Sequence, residues 1–181
     1  QIQGFFEVPV DHLFASTIFL PYMESLNLPN LMVAAPDTGG TKRANAYAKY
    51  LHLDLAICYK QRKVANEVAE MTVIGDVEGK DVVLIDDMVD TAGTLTKAAN
   101  MMMEHGAASV RAICTHAVLS GPAYERIQDS SLVELIVSNS IPLRDDKPTE
   151  KIKVLTVADL FASVISSLAT NQSISSNFVL S

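Results

Sequence analysis

The sequence predicts an α/β fold in which helices flank a parallel sheet. Short runs of apolar, β-branched residues alternate with segments of helical periodicity, and continuous apolar strands joined by helical crossovers are typical of a parallel sheet with both faces covered. The composition agrees, because 49% of the 181 residues are apolar and 19% are charged, which is enough for one sizeable core without disulfide or metal support. We therefore expect a single domain over residues 1–181.

The strands are predicted from runs in which apolar residues follow one another. Short β-branched runs of this kind favour strands over helices. They lie at residues 31–35, 55–59, 82–85, 110–115 and 132–137. In parallel sheets of this class ligands bind at the carboxyl ends of the strands, so the search for a site concentrates on the loops that follow these runs.

Three apolar stripes predict helices. The first two have the i, i+3, i+4, i+7 spacing of an amphipathic helix, and the second is expected to stop at the His105-Gly106 pair. The third follows a charged connector, has Thr156 as its expected N-cap and is expected to pack on the core. The stripes consist of Ala44, Tyr47, Ala48 and Leu51, then Leu95, Ala98, Ala99 and Met102, then Val157, Leu160, Phe161, Val164, Ile165 and Leu168.

Charge and composition exclude several classes of protein. The net charge of −7 argues against a basic face for nucleic acid or anionic membrane. No apolar run has the length of a membrane span, and the first residues lack the basic head of a signal peptide. Cys58 and Cys114 lie in apolar runs without a second ligand at metal spacing, which indicates free buried thiols. We expect a cytoplasmic protein.

The clearest chemistry follows the third predicted strand, which runs directly into the pair Asp86-Asp87. Thr91, Gly93 and Thr94 then place hydroxyls and approachable backbone N–H groups at a helix N-terminus, an arrangement that suits one phosphate. Carboxylates repel phosphate, so their useful partners are the hydroxyls of an attached sugar, or a metal ion that bridges this sugar to a second substrate. The pattern therefore predicts a phosphorylated sugar. The lysine-bearing P-loop and the dinucleotide fingerprint are both absent.

A family resemblance begins at this segment. Hydrophobic residues followed by Asp-Asp, three residues and Thr-Ala-Gly-Thr resemble the PRPP (phosphoribosyl pyrophosphate) loop of type I phosphoribosyltransferases and ribose-phosphate diphosphokinases. The Pro-Asp-Thr-Gly-Gly run at 36–40, with Arg43 after it, and the Lys-Gln-Arg run at 60–62 are similar to the diphosphokinase branch. Similar segments from residue 1 to Phe178 extend the resemblance over essentially the whole chain.

The resemblance implies a fold and a reaction. It matches the carboxyl-terminal part of a longer two-domain enzyme, so we expect the amino-terminal domain and a histidine metal ligand before Gln1 to be absent. The implied reaction transfers diphosphate from ATP to the 1-hydroxyl of ribose 5-phosphate, giving PRPP and AMP for nucleotide biosynthesis. We expect this chain alone to be inactive.

The resemblance also implies roles for individual residues. Lys60 would be the catalytic lysine, Arg62 its partner at the transferring phosphates, and Asp37 a ligand of Mg²⁺. The residues implied to bind ribose 5-phosphate are Arg62, Asp86, Asp87, Asp90, Thr91, Ala92, Gly93 and Thr94.

Two other functions stay open. A base phosphoribosyltransferase uses PRPP and fits the same loop, although no base-binding hood is evident. A non-catalytic regulatory homologue is the other alternative, because Gln61, Lys63 and Val64 replace an arginine- and proline-rich run that is usual in the family. The runs at 36–40 and 60–62 favour the diphosphokinase.

The tail resembles a segment that forms an inhibitory nucleotide or phosphate site between subunits. Ser173 and Ser175, two apart in an extended chain, would face one side and reach one phosphate, while Phe178 would anchor the end. The resemblance therefore implies an ADP or phosphate effector and a homo-oligomer, a hexamer. His116 ends a predicted strand at the same rim as the PRPP loop, and both a structural and a substrate-contact role remain open for it.

Overall fold

The structure, a computed structural model, describes residues 2–61, 70–178 and 180, with the backbone alone at 60, 61, 70 and 71. In this part of the chain seven strands and five helices alternate along most of the sequence. The strands are β1 (Leu31–Ala35), β2 (Leu55–Gln61), β3 (Glu70–Ile74), β4 (Asp81–Val89), β5 (Ser109–Ala117), β6 (Leu132–Ser138) and β7 (Ile152–Leu155). The helices are α1 (Ser16–Ser25), α2 (Thr41–Leu51), α3 (Gly93–Glu104), α4 (Ala123–Asp129) and α5 (Ala158–Ala169).

The strands form one sheet in the order β3-β2-β1-β4-β5-β6-β7. All neighbours are parallel except β2 and β3, which pair from Ile57 with Ile74 to Gln61 with Glu70. A parallel return needs a crossover of a dozen or more residues, and the chain between β2 and β3 is shorter than that. The predicted α/β fold with a parallel sheet is confirmed, except that the edge strand β3 is antiparallel.

The sheet is buried on both faces, as the continuous apolar strands predict. Alternate residues of β4 point to opposite sides, with Val82 and Leu84 in the layer under α3 and α4, and Val83 and Ile85 in the layer under α1 and α2. All five predicted strands are present, and β1 has the predicted ends. The core therefore fixes the register of β4, whose carboxyl end carries Asp86.

The helices α2 and α3 bury the predicted stripes. Of the first stripe Leu51 alone is only partly buried, and all four residues of the second are buried. The α3 helix ends as predicted, since His105 is its C-cap and Gly106 adopts a φ of +88°, which favours glycine.

The prediction that the whole stripe of α5 packs on the core is wrong. Leu160 and Val164 are buried, whereas Phe161, Ile165 and Leu168 are at least half exposed. Because α5 follows the edge strand β7, one side of the helix alone meets the rest of the structure. The predicted N-cap is displaced by one residue: Val157 occupies that position, and the Thr156 hydroxyl accepts a hydrogen bond from the Ala158 N–H at 3.1 Å.

The tail is not extended, contrary to expectation. A 3-10 turn at Ser175–Asn177 brings the Ser173 and Ser175 hydroxyls within 2.5 Å, so they hydrogen-bond each other. The Thr17 hydroxyl of α1 donates to the Asn177 carbonyl at 3.1 Å, and Phe178 is half-buried. Local side-chain hydrogen bonding of this kind stabilises turns over extended chain.

Cys58 and Cys114 are free and buried, as predicted. Burial raises the pKa of the Cys58 thiol to about 11 and that of the Cys114 thiol to about 12, which makes both poor nucleophiles at neutral pH. Within the described residues no helix is both long and apolar enough to cross a bilayer.

Candidate functional site

The site lies at the carboxyl end of β4, where residues 90–94, called here the phosphate loop, lead into α3. Ala92 is the N-cap of α3, and its carbonyl accepts hydrogen bonds from the Thr96 N–H at 3.0 Å and the Thr96 hydroxyl at 2.8 Å. The N–H groups of the first helical turn have no partner within the helix, and the helix dipole makes this end positive. The local geometry therefore suits an anion, as the sequence predicts.

Ala92 has a φ of +59° although it carries a Cβ, and it is buried. A left-handed conformation costs a residue other than glycine roughly 1–2 kcal/mol, and it persists where the surroundings enforce it. Strained backbone of this kind is frequent at ligand-binding loops. Ala92 therefore shapes the turn that directs the first N–H groups of α3 outwards.

We expect Ala92→Val to lower the free energy of unfolding by about 2 kcal/mol, because a β-branched side chain tolerates positive φ poorly and must also fit a buried site. Ala92→Gly should change it little, since relief of the strain is offset by the greater freedom of glycine in the unfolded chain. Urea denaturation of the three proteins tests this. Equal stability of the valine variant and the parent would contradict it.

The phosphate loop is braced by the segment after β5. The Leu119 N–H donates to the Val89 carbonyl and the Ser120 N–H to the Asp90 carbonyl, both at 3.1 Å. The Ser120 hydroxyl also donates to the Asp90 carboxylate, and Nη1 of Arg126, in α4, donates to the Thr91 carbonyl at 2.9 Å. The loop is thus held in place by residues about 30 positions further along the chain.

Asp86 and Asp87 are joined by Arg43, a residue in the first turn of α2. Nη1 of Arg43 lies 3.1 Å from Oδ1 of Asp86, and Nη2 lies 2.7 Å from Oδ2 of Asp87. The same Oδ1 accepts the Asp87 N–H at 2.9 Å. The pKa of Asp86 is raised from 3.8 to about 6, mainly by burial and to a smaller extent by the neighbouring Asp87 carboxylate. The hydrogen bond from the Asp87 N–H and the Arg43 guanidinium both act to lower this pKa. One arginine therefore balances one of two adjacent negative charges.

Asp37 lies beyond the carboxyl end of β1, the strand next to β4. Its Oδ1 accepts the Gly40 N–H at 3.0 Å, which fixes the turn into α2. A Cβ on Gly40 would lie 3.5 Å from the Ile85 carbonyl, so this turn sits close to the β4 backbone just before Asp86. The structure thus places Asp37 at the same edge of the sheet as the acid pair.

A metal site at this edge would have few protein ligands. In the described part of the chain no three side chains of His, Cys, Asp or Glu converge as a cation site. Mg²⁺ is commonly held by one or two carboxylates together with substrate phosphates and water. Asp37 suits this kind of coordination, because its Oδ2 is not used in the hydrogen bond to the Gly40 N–H.

The two predicted catalytic residues lie at or beyond the end of β2. The backbone of Lys60 pairs with Met71 of β3, at the sheet edge that also carries the carboxyl end of β1. Arg62 and the departures Lys63 and Val64 lie outside the described residues. The roles of Lys60 and Arg62 stay predictions.

His116 is exposed near the end of β5, where it pairs with Met88 of β4, and its Nδ1 lies 2.9 Å from the Ser140 hydroxyl. The tail serines lie elsewhere, in the segment bound to α1. The structure therefore brings together the acid pair, Asp37 and the phosphate loop, with the backbone of Lys60 at the same edge of the sheet.

Sequence reasoning did not identify Arg43, Ser120 or Arg126 as site residues. Arg43 lies three residues after the glycine pair that precedes α2. Its place in the first turn of that helix indicates only weakly that its side chain reaches the acid pair. Ser120 lies in a Ser-Gly-Pro run that resembles the family, but this resemblance gave it no role. Ser120 and Arg126 reach the loop through the tertiary packing of the segment that contains α4, and the sequence alone does not reveal these contacts.

Comparison with known proteins identifies the family of this chain. The family described as the phosphoribosyl synthetase-associated domain matches residues 60–179. A ribose-phosphate pyrophosphokinase of Porphyromonas gingivalis is 57% identical over 96% of this chain and 55% of its own, and one of Wolinella succinogenes is 52% identical over 99% and 57%. The crystal structure of phosphoribosylpyrophosphate synthetase from Mycobacterium smegmatis superposes with a TM-score of 0.84 at 37% identity, over 94% of this chain and 56% of that one. The chain spans just over half the length of these proteins.

Proposed function

The chain belongs to the family described as the phosphoribosyl synthetase-associated domain. From this premise we propose that it binds ribose 5-phosphate for transfer of diphosphate from ATP to the sugar 1-hydroxyl, with PRPP and AMP as products. The observation that supports this most directly is the acid pair Asp86-Asp87 beside the phosphate loop at one edge of the sheet. An anion site and a set of hydroxyl-binding carboxylates at the same edge of the sheet are the two kinds of partner that a sugar phosphate needs.

The phosphate loop would hold the 5-phosphate on backbone N–H groups and the hydroxyls of Thr91 and Thr94. Asp86 and Asp87 would accept hydrogen bonds from the ring hydroxyls, with Arg43 keeping both carboxylates in place. Fixing the sugar at both ends would orient its 1-hydroxyl, so that its attack on bound ATP would become an effectively intramolecular step.

Diphosphoryl transfer needs little covalent work from the protein, so positioning and charge stabilisation carry the acceleration. Lys60 and Arg62 would supply positive charge at the transferring phosphates. Asp37 would hold Mg²⁺, which neutralises phosphate charge when bound.

Residues 1–181 would form one phosphoribosyltransferase-type domain of a longer, two-domain, cytoplasmic enzyme. The same family membership supports a homo-oligomer with an ADP or phosphate effector. The hydrogen bond between Ser173 and Ser175 would have to open for both hydroxyls to reach that effector.

Isothermal titration calorimetry of the chain tests the sugar-phosphate site. Ribose 5-phosphate should bind more tightly than either inorganic phosphate or ribose, because it alone occupies both halves of the site. Binding no tighter than that of inorganic phosphate would overturn the sugar assignment and leave an anion site.

Product analysis separates the candidate reactions. Release of AMP from ATP, Mg²⁺ and ribose 5-phosphate would support the pyrophosphokinase, which the relatives' names favour. Release of pyrophosphate from PRPP and a free base would support a base phosphoribosyltransferase instead. Sugar binding without either product, in a protein of the relatives' full length, would support a non-catalytic homologue.

A further inference from the structure

The phosphate loop contains no basic residue that could balance the charge of a bound phosphate. Residues 90–94 contain no lysine or arginine, and three carboxylates, those of Asp86, Asp87 and Asp90, lie in or beside the loop. Arg43 is held by Asp86 and Asp87, so its charge is already balanced within the acid pair. A phosphate dianion at the start of α3 would face backbone N–H groups with a net negative surrounding, and carboxylates near a bound anion weaken its binding.

Arg126 supplies a cation at this place from another part of the chain. Its Nη1 donates to the Thr91 carbonyl at 2.9 Å across a sequence separation of 35 residues. A Cβ built on Gly93 would lie 3.3 Å from Nη1 and 4.0 Å from Cζ, so the guanidinium lies against the backbone of the first helical residue of α3. Glycine at 93 therefore leaves room for the arginine beside the loop.

The guanidinium also has hydrogen-bonding capacity left. A guanidinium carries five N–H donors, and among the described residues one of them is used, in the bond to Thr91. The ion pairs found among the described residues join Arg43, Arg111, Arg144 and Lys147 to carboxylates and do not include Arg126. Arg126 is thus a charged group held against the loop backbone by a carbonyl, with no carboxylate among the described residues to balance it.

We propose that Arg126 completes the phosphate site, both by holding the Thr91 carbonyl and by presenting its guanidinium to the phosphate that binds at the amino end of α3. The part of this inference that concerns ribose 5-phosphate rests on the proposed function. The part that concerns phosphate alone rests on the geometry of the loop and Arg126. It gives α4 and the Ser120-Gly121-Pro122 segment before it a role, because together they bring Ser120 to Asp90 and Arg126 to Thr91.

The experiment compares Arg126→Gln and Arg126→Lys with a matched control, Arg144→Gln. Arg144 is an exposed arginine whose side chain pairs with Asp146 in the connector before β7. Calorimetry measures the binding of inorganic phosphate and of ribose 5-phosphate to each protein, and thermal denaturation reports whether each variant is folded. Loss of one charge-assisted hydrogen bond should weaken both ligands about tenfold or more in Arg126→Gln.

The remaining measurements separate a binding role from a structural one. Arg126→Lys, which keeps the charge but not the planar fork, should recover part of the affinity, and the parent should lose more affinity on addition of salt than Arg126→Gln does. Arg144→Gln should bind both ligands like the parent. Equal phosphate affinity in Arg126→Gln and Arg144→Gln would overturn the proposal, and so would failure of the parent to bind phosphate at all.

The two hypotheses fail differently. If phosphate binding depends on Arg126 but ribose 5-phosphate binds no tighter than phosphate, the role of Arg126 stands and the proposed function falls. If ribose 5-phosphate binds tightly and equally in all four proteins, the proposed function stands and the role of Arg126 falls.

Discussion

Asp86→Asn is expected to stabilise the fold at neutral pH and to abolish most of the affinity for ribose 5-phosphate. Burial is the main cause that raises the pKa of this carboxyl from 3.8 to about 6, so the folded protein holds the proton more tightly than the unfolded chain does. Ionised Asp86 therefore costs stability, and the cost grows as the pH rises from about 4 to about 6. It is complete at neutral pH, where the difference in pKa corresponds to about 3 kcal/mol.

An asparagine has nearly the same shape and no charge to desolvate. The variant should exceed the parent in free energy of unfolding by up to about 3 kcal/mol at pH 7, a figure that already includes the attraction of Arg43 for the ionised carboxylate. The gain should shrink as the pH falls and vanish below about pH 3, where Asp86 is protonated in both states. Urea denaturation across this range measures it.

Asp146→Asn is the matched control, because Asp146 is an exposed aspartate whose pKa is lowered by its hydrogen bond and ion pair with Arg144. It should give no gain in stability at pH 7. A similar gain in both variants would show that general reduction of negative charge, rather than burial of Asp86, is responsible.

The ligand response of Asp86→Asn has two opposite parts. Ribose 5-phosphate should bind roughly 10–100-fold more weakly, since hydrogen bonds from sugar hydroxyls to a carboxylate are replaced by bonds to a neutral amide. Inorganic phosphate should bind at least as well as before, because one repelling charge is gone. Equal loss for both ligands would contradict the assignment of Asp86 to the sugar. A site residue that destabilises its own fold is a common consequence of selection for binding.

The parts of the fold that the sequence predicts are those with a local signal. Runs such as residues 31–35 are continuous in apolar residues because both faces of the sheet are covered, and their length marks them as strands. The phosphate loop could be predicted for the same reason, since its strand, hydroxyls, glycine and helix follow one another within about a dozen residues.

The elements that the sequence does not predict lack such a signal or depend on partners. The α1 helix contains Pro21, and its N-cap residue makes no side-chain hydrogen bond. The β3 strand exists by pairing with β2, and β7 is four residues long with half its side chains exposed. These depend on neighbours that a pattern within one segment does not reveal.

The site shows the same division. Asp37 and Thr91 follow strands and Asp86 lies near the end of one, so all three could be located from the order of elements. Arg43 and Arg126 make contacts between segments 35 or more residues apart. The exposed stripe of α5 is a further case, because an apolar helix face predicts packing without saying how much of it the sheet covers.

Lys60→Ala should lower the rate of AMP formation by roughly 10²–10³-fold, the usual effect of removing one preorganised charge from the atoms where negative charge concentrates during transfer. The prediction rests on the resemblance of the run at 60–62 to a catalytic loop and on the position of the Lys60 backbone, at the carboxyl end of β2 and the same sheet edge as Asp37. A residue that acts on the transferring phosphates touches the sugar little, so the affinity for ribose 5-phosphate should change less than about threefold, which corresponds to under 1 kcal/mol.

The rate is measured from ATP, Mg²⁺ and ribose 5-phosphate in whichever form of the protein releases AMP, the 181-residue chain or a longer one that contains it. Lys147→Ala is the control, because Lys147 pairs with Glu125 on the surface and such pairs contribute little. An unchanged turnover number would remove Lys60 from the catalytic residues. A fall in turnover that is matched by an equal fall in sugar affinity would place Lys60 in the sugar site instead, because uniform loss of binding does not act on the transition state alone.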